Sequence, residues 1–248
     1  MIPLRQFQDK TIALFGLGKS GQAAALALQA GGATVWAWDD SPATREDAAT
    51  EGIPLVDLYS CDWSKPTRFV LSPGIPHEKP QPHPLAARAR AAGCEIVGDI
   101  ELLAQADMSA RFLSITGTNG KSTTTALVGH ILAASGRAVQ VGGNIGTPVL
   151  ALESLDAEGF YVLEISSYQL ETTFSLRSEA AVLLNITPDH LERHGGMAGY
   201  IAAKRRIFEG MPSPKAVIVG TDDAICQDIY NELKAAGRPV IGISGQQE

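Results

Sequence analysis

Apolar residues come in short, dense runs along the chain, separated by stretches with helix spacing. The strand-like runs are TIALF (11–15), TVWAW (34–38), RFVLS (68–72), RFLSIT (111–116), AVQVG (138–142), FYVLEIS (160–166), AAVLLNI (180–186), AVIVG (216–220) and PVIGIS (239–244). Runs of that length and density predict strands buried on both faces. Ala/Leu-rich segments such as GQAAALALQAGG and TTTALVGHILAASG lie between many of them and end on glycine, as helices often do. Buried strands alternating with helices predict an α/β fold built on parallel sheets.

The pattern breaks at SPGIPHEKPQPHP, where Pro73, Pro76, Pro80, Pro82 and Pro84 predict a loop or crossover. A helix-like LAARARAAG, a strand-like CEIVG and a helix-like DIELLAQAD follow it. A second βα series then restarts at Arg111, so a domain boundary is expected near 107–110, giving domains over 1–107 and 108–248. A length of 248 residues with 45% hydrophobic side chains is ample for real cores, with no need of disulfide or metal staples.

Charged residues make up 19% of the chain and the formal net charge is −7. That balance argues against a nucleic-acid partner selected by bulk charge. It leaves room for a small anionic ligand, because local amides and a few lysines hold phosphate on an acidic protein. Cys61, Cys94 and Cys226 are far apart and form no CxxC pair, which reads as three reduced thiols. With no apolar run of about 18 residues and no apolar leader, the expectation is a soluble, cytoplasmic, monomeric protein with no membrane contact.

Gly16-Leu17-Gly18-Lys19-Ser20-Gly21 follows a predicted strand and opens a predicted helix, the GxGxxG arrangement of a Rossmann-like domain. Asp39 and Asp40 close the next strand pattern, at about the spacing where an acidic group meets a ribose. Alone, this fingerprint favours a nicotinamide dinucleotide, or a tight turn that binds nothing.

A second glycine loop, Thr116-Gly117-Thr118-Asn119-Gly120-Lys121-Ser122-Thr123, also joins a strand to a helix. Its Gly-Lys-Ser end is that of a P-loop: amides cradle phosphates, Lys121 neutralises their charge, and the Ser122 hydroxyl meets Mg²⁺. The general pattern GxxxxGK[ST] asks for glycine at 115, and Ile115 stands there instead. Two phosphate loops in one chain fit a dehydrogenase poorly, since hydride transfer needs no γ-phosphate chemistry.

In an open parallel sheet, ligands gather at the carboxyl ends of strands. Four residues lie at successive strand ends or just beyond: Asn144 in GGNIGTP, Glu164 in FYVLE, and Asp189 and His190 in NITPDHLERH; Lys204 follows in YIAAKRRIFEG. Taken singly, each has an ordinary reading: a turn asparagine, a glutamate paired with an arginine, a surface histidine, a solvated basic helix face.

Together, TGTNGKST, GGNIGTP, LEISSYQLE, NITPDHLERH and YIAAKRRIFE resemble the Mur ligases in order and spacing; these are ATP-dependent amide-forming enzymes of peptidoglycan synthesis. GLGKSG, the SPGIP turn and GDIELL resemble most the branch that adds D-glutamate to UDP-N-acetylmuramoyl-L-alanine. The resemblance implies that the first loop holds the UDP of a muramoyl precursor. Lys19 and Ser20 would face the UDP-sugar, Asp39 and Asp40 the uridine, Ser72 and Gly74 the diphosphate, and Asn144 the muramoyl substrate. Gly117, Thr118, Asn119, Gly120, Lys121, Ser122 and Thr123 would hold ATP. Two Mg²⁺ sites would draw on Ser122, Glu164, His190 and a carbamylated Lys204, with Lys121, Asn144, His190 and Lys204 serving catalysis.

The implied reaction passes through an acyl phosphate that the amine of D-glutamate attacks. The family's third domain, which binds the amino acid, has no counterpart after Ser244, and the ATP-binding domain is expected to be incomplete. The chain alone is therefore expected to bind substrate rather than turn over. The alternatives are a non-catalytic UDP-sugar-binding fragment and, from another class, a nicotinamide-dependent dehydrogenase.

Overall fold

The computed structural model describes residues 1–106, 109–208 and 216–246. The expected α/β architecture is present as two compact units, each with its own parallel sheet.

The first unit comprises Met1–Asp107 together with Pro148–Ser154. Its strands are β1 (Thr11–Phe15), β2 (Thr34–Trp38), β3 (Arg68–Leu71) and β4 (Glu95–Val97), all parallel in the order β2-β1-β3-β4. Helices α1 (Lys19–Ala30), α2 (Pro42–Thr50), α3 (Pro84–Ala91) and α4 (Asp99–Ala104) alternate with them, a Rossmann-like arrangement. Ile12, Ala13 and Leu14 are inaccessible, as a central strand covered on both faces requires. Phe15, Leu58, Phe69, Leu71 and Leu85 build one core, with Trp63 edge-on to Phe69 at 5.2 Å. Helix α1 buries Ala23, Ala24, Ala25, Ala27 and Leu28, small residues that let it lie close.

The sequence pattern treats 108–248 as one continuous region, whereas Pro148–Ser154 packs with the first unit. A 3₁₀ turn, Val149–Ala151, rests on α1 and α4 with Val149 and Leu150 buried, and Leu150 O accepts the Ile2 amide at 3.0 Å. Two local features also differ from the pattern. Pro84, expected in the loop, is the first residue of α3, where its missing N–H costs nothing, and the ring nitrogen of His83 caps that helix. Helix α2 has no apolar stripe and buries only Ala48; it is set by the Ser41 cap and by Pro42 in its first turn.

The second unit comprises Met108–Thr147 and Leu155–Glu248. Its strands are β5 (Arg111–Thr116), β6 (Val139–Gly143), β7 (Phe160–Glu164), β8 (Ser178–Leu183), β9 (Ala216–Gly220) and β10 (Val240–Ile243). They are parallel in the order β10-β9-β8-β5-β7-β6. Helices α5 (Lys121–Ala134), α6 (Ser167–Glu171), α7 (Leu191–His194), α8 (Met197–Arg205) and α9 (Ala224–Ala235) complete it. The chain leaves β5 for β6 and β7 on one side, then returns past β5 to β8, β9 and β10 on the other. That reversal puts the sheet's switch point, where open α/β sheets place ligands, at the carboxyl end of β5. Among the described residues, no helix is long and apolar enough to cross a membrane.

Candidate nucleotide and substrate sites

In the first unit, the glycine loop runs from the end of β1 into α1. A Cβ on Gly21 would fall 1.8 Å from Gly16 O, so only glycine lets the helix start this close to the strand. Ser72 Oγ donates to Gly16 O at 2.8 Å, tying the end of β3 to the loop. Asp39 accepts the amides of Leu17 (2.7 Å) and Ser41 (2.9 Å), and so clamps the turns after β1 and β2 together. Asp40 is the exposed carboxylate of the pair. The Tyr59 hydroxyl donates to it at 3.0 Å, and His83 Nε2 lies 3.6 Å away. Burial and that carboxylate push the Tyr59 phenol up to about 12. Lys19 and Gly74 are exposed and Ser20 is half-buried at the helix start.

In the second unit, strand register gathers the chemistry. Ile115 pairs with Glu164 across β5–β7, and Gly143 pairs with Glu164 across β6–β7. A Cβ on Gly143, whose φ is +110°, would meet Glu164 O at 2.2 Å, so Asn144 reaches Glu164 only because glycine precedes it. Glu164 is 2% exposed. Ser122 Oγ donates to its Oε2 at 2.7 Å and Asn144 Nδ2 to its Oε1 at 2.9 Å. Both donors are neutral, and the carboxylate forms no ion pair among the described residues. Ile115, at the position where the general P-loop pattern has glycine, is a buried β5 residue.

The loop itself leans on the segment after β8. Thr118 N donates to Asn185 O (2.9 Å), Asn119 N to Asn185 Oδ1 (2.8 Å), and Thr187 N to Thr118 Oγ1 (3.0 Å). Two ammonium groups point back at the loop's carbonyls: Lys121 Nζ donates to Thr118 O at 2.9 Å and Lys204 Nζ to Gly117 O at 2.7 Å. Neither forms an ion pair with an acid among the described residues. Lys204 is 2% exposed and lies 4.7 Å from the Tyr200 ring centre; burial, then the Lys121 charge, bring its ammonium down to about 7.

The structure thus joins Ser122, Asn144 and Glu164, and separately Lys121, Lys204 and the loop. His190 is not joined to Glu164. It sits at φ +51° at the start of α7, half-exposed, with Asp189 Oδ2 3.4 Å from its Nε2 and the Tyr168 ring 4.9 Å from its own. No three His, Cys, Asp or Glu side chains among the described residues converge as a metal cage. Asn185, Thr187 and Tyr200 were not singled out in sequence. Their signal was the asparagine of NITP at the end of the strand beside the P-loop strand.

A parallel sheet that presents a glycine-lysine-serine loop at its switch point is the P-loop class of α/β protein. Residues 115–248 match the Mur ligase middle domain, and the chain belongs to the Mur ligase family. It is 56% identical to the UDP-N-acetylmuramoylalanine–D-glutamate ligase of Caulobacter vibrioides, over 97% of this chain and 52% of that protein. It is 51% identical to the ligase of the same name from Brucella abortus, over 100% of this chain and 53% of that one. The chain therefore spans about half the length of the curated relatives it matches. In fold it is similar to UDP-N-acetylmuramate:L-alanyl-gamma-D-glutamyl-meso-diaminopimelate ligase from Neisseria meningitides (TM-score 0.61, 17% identity, 94% of this chain and 77% of that one). It is likewise similar to UDP-N-acetylmuramate-alanine ligase from Thermotoga maritima (TM-score 0.56, 19% identity, 96% and 53%). Family membership displaces the dehydrogenase alternative.

Proposed function

We propose that this chain carries the UDP-substrate and ATP sites of a cytoplasmic, ATP-dependent ligase that joins D-glutamate to UDP-N-acetylmuramoyl-L-alanine. One observation carries the reading. Two ammonium groups that form no ion pair among the described residues (Lys121, Lys204) lie along a phosphate-type loop whose serine bonds a buried acid, Glu164, that likewise meets no cation among them. A magnesium nucleotide would complete both halves of that charge pattern, with Lys121 and Lys204 available to its phosphates and Glu164 and Ser122 to its metal. The donor set suits Mg²⁺, since a buried carboxylate held only by neutral donors still lacks a counter-charge. When bound, Mg²⁺ neutralises the polyphosphate so that a carboxylate can approach it.

In this reading the first-turn amides of α5, from Lys121 to Thr123, orient the nucleotide, and Lys121 offsets charge on its terminal phosphates. Asn144 holds Glu164 in place and, by the family resemblance, contacts the muramoyl substrate. His190, which now contacts Asp189, is the further metal ligand that the family resemblance implies. Lys204 serves as a carbamate: its amine, neutral in part near pH 7, adds to CO₂ and releases a proton, turning a cation that repels Mg²⁺ into an anion that attracts it. In the first unit, Lys19 and Ser20 at the start of α1, with Gly74, line the UDP site, and the Asp40 carboxylate faces the nucleoside. Catalysis rests on positioning and electrostatics, with no enzyme nucleophile.

The test is thermal unfolding with ligands. UDP-N-acetylmuramoyl-L-alanine and Mg·ATP should each raise the midpoint and NADH should not. Lys121→Ala should abolish the Mg·ATP shift and leave the UDP-substrate shift in place. In the complete ligase the same variant should stop phosphate release. Equal nucleotide shifts in wild type and variant would sink the P-loop assignment.

A further inference from the structure

Beside the phosphate loop lies a largely buried charged cluster with no part in the reading above. Glu171, at the end of α6, receives Arg193 through Nη2 (2.7 Å) and Nε (3.1 Å), and His194 Nδ1 at 2.8 Å. The other ring nitrogen of His194, Nε2, is hydrogen-bonded to the Ser167 hydroxyl at 3.0 Å. Arg193 and His194 are 7% and 4% exposed. One carboxylate therefore fastens α6, which starts three residues after Glu164, to α7, which His190 precedes.

The rings standing on this cluster lead back to the site. Arg193 lies 4.9 Å from the Tyr168 ring centre, and Tyr168 faces His190 at 4.9 Å and His194 at 5.6 Å. His194 also packs on Tyr200 at 5.3 Å. Tyr200 in turn pairs its hydroxyl with Thr118 Oγ1 at 3.0 Å and lays its face under the Lys204 ammonium. A packed aromatic has few places to go once its neighbours are fixed, so the orientation of Tyr200 is set by what holds His194.

We propose that Glu171 is a positioning residue: by holding Arg193 and His194 together it fixes Tyr168 and Tyr200, and through them His190 and the Thr118–Lys204 side of the phosphate loop. This rests on the nucleotide reading of that loop. Glu171 touches no reacting atom. Its effect passes through two rings, so it governs loop order rather than loop chemistry.

The experiment is residue-resolved amide hydrogen exchange on the wild-type chain and Glu171→Gln, without nucleotide. The amides of Thr118, Asn119 and Thr187 should exchange about two- to thirty-fold faster in the variant, the range for residues coupled through a network. The amides of Cys226 and Gln227 at the start of α9, bonded to Asp223, should keep wild-type rates. A uniform rise across the second unit would mean plain destabilisation and overturn the proposal, as would unchanged rates at the loop. If the charge left on Arg193 prevents folding, the double variant Glu171→Met/Arg193→Met removes both charges and is read the same way. Titration with Mg·ATP then separates the two ideas. Absence of binding by the wild type counts against the nucleotide reading alone, while the exchange pattern still decides the role of Glu171.

Discussion

Glu164→Gln should make the second unit more stable and less able to bind a magnesium nucleotide. Glutamine keeps the shape of the side chain, and its amide satisfies both neighbours: its oxygen accepts from Asn144, and its NH₂ donates to a Ser122 hydroxyl that has rotated. Each hydrogen bond from a neutral donor to an ionised acid is worth about 1.5–3 kcal/mol, against about 0.5–1.5 kcal/mol for a neutral pair. Removing the charge therefore forfeits about 2–3 kcal/mol over the two bonds. Burying an unpaired carboxylate costs several kcal/mol even after relaxation, and that cost disappears. The balance favours the amide by about 1–2 kcal/mol. At about 2–4 °C per kcal/mol for a chain of 150–250 residues, the midpoint in EDTA should rise by about 2–8 °C. Calorimetry with and without Mg·ATP reads both effects, since the wild type should gain from the ligand and the variant should not. A variant that melts below wild type in EDTA, or that keeps the full nucleotide shift, refutes the view of Glu164 as a carboxylate held ready for a cation.

Lys204 gives a pH signature. Its folded value of about 7 lies below the ordinary 10.5, so between those limits the unfolded chain holds a proton the folded chain has released. Stability should therefore climb with pH from about 7 upward, by at most about 1.4 kcal/mol per pH unit relative to Lys204→Met. Melts of both proteins from pH 7 to 9 in CO₂-free buffer check this, and parallel curves would contradict it. Lys204→Ala in the complete ligase should lose activity and regain part of it with added short carboxylates; full activity without them rules out the carbamate. Gly143→Ala should destabilise the second unit by at least about 2 kcal/mol, because a Cβ at φ +110° collides with Glu164 O; a denaturant midpoint unchanged from wild type would show the strand can yield.

Much of this was legible in the sequence. Dense runs such as TIALF and RFLSIT are central strands, and GLGKSG and TGTNGKST mark the two strand-to-helix loops, because those signals are local. What escaped depends on partners far away in the chain. Asn185 matters only because β8 lies beside β5 and brings it against Asn119, and Tyr200 only because its hydroxyl finds Thr118. Glu171 sits in a short helix whose partners follow in α7, and nothing in SSYQLE announces that its carboxylate is paired with two buried basic side chains. Helix α2 was missed for another reason. It is held by its cap, by the lone buried Ala48 and by Arg45, which bonds the Asp39 carbonyl and lies over Trp38, and none of these makes an apolar stripe.

The segment Pro148–Ser154 has a consequence in time. A polypeptide leaves the ribosome from its N-terminus, and domains generally fold as units as they emerge. Here the first unit cannot seat its last buried pieces, Val149, Leu150 and Leu152, until two strands of the second unit, β5 and β6, have already been made. The Ile2 amide, among the first to emerge, waits for Leu150. A gene cut at residue 107 would supply every strand and helix of the first unit and still leave α1 and α4 with an uncovered face. The two units are separate cores, yet as the chain is synthesised they are interleaved, and the first is finished only after the second has begun.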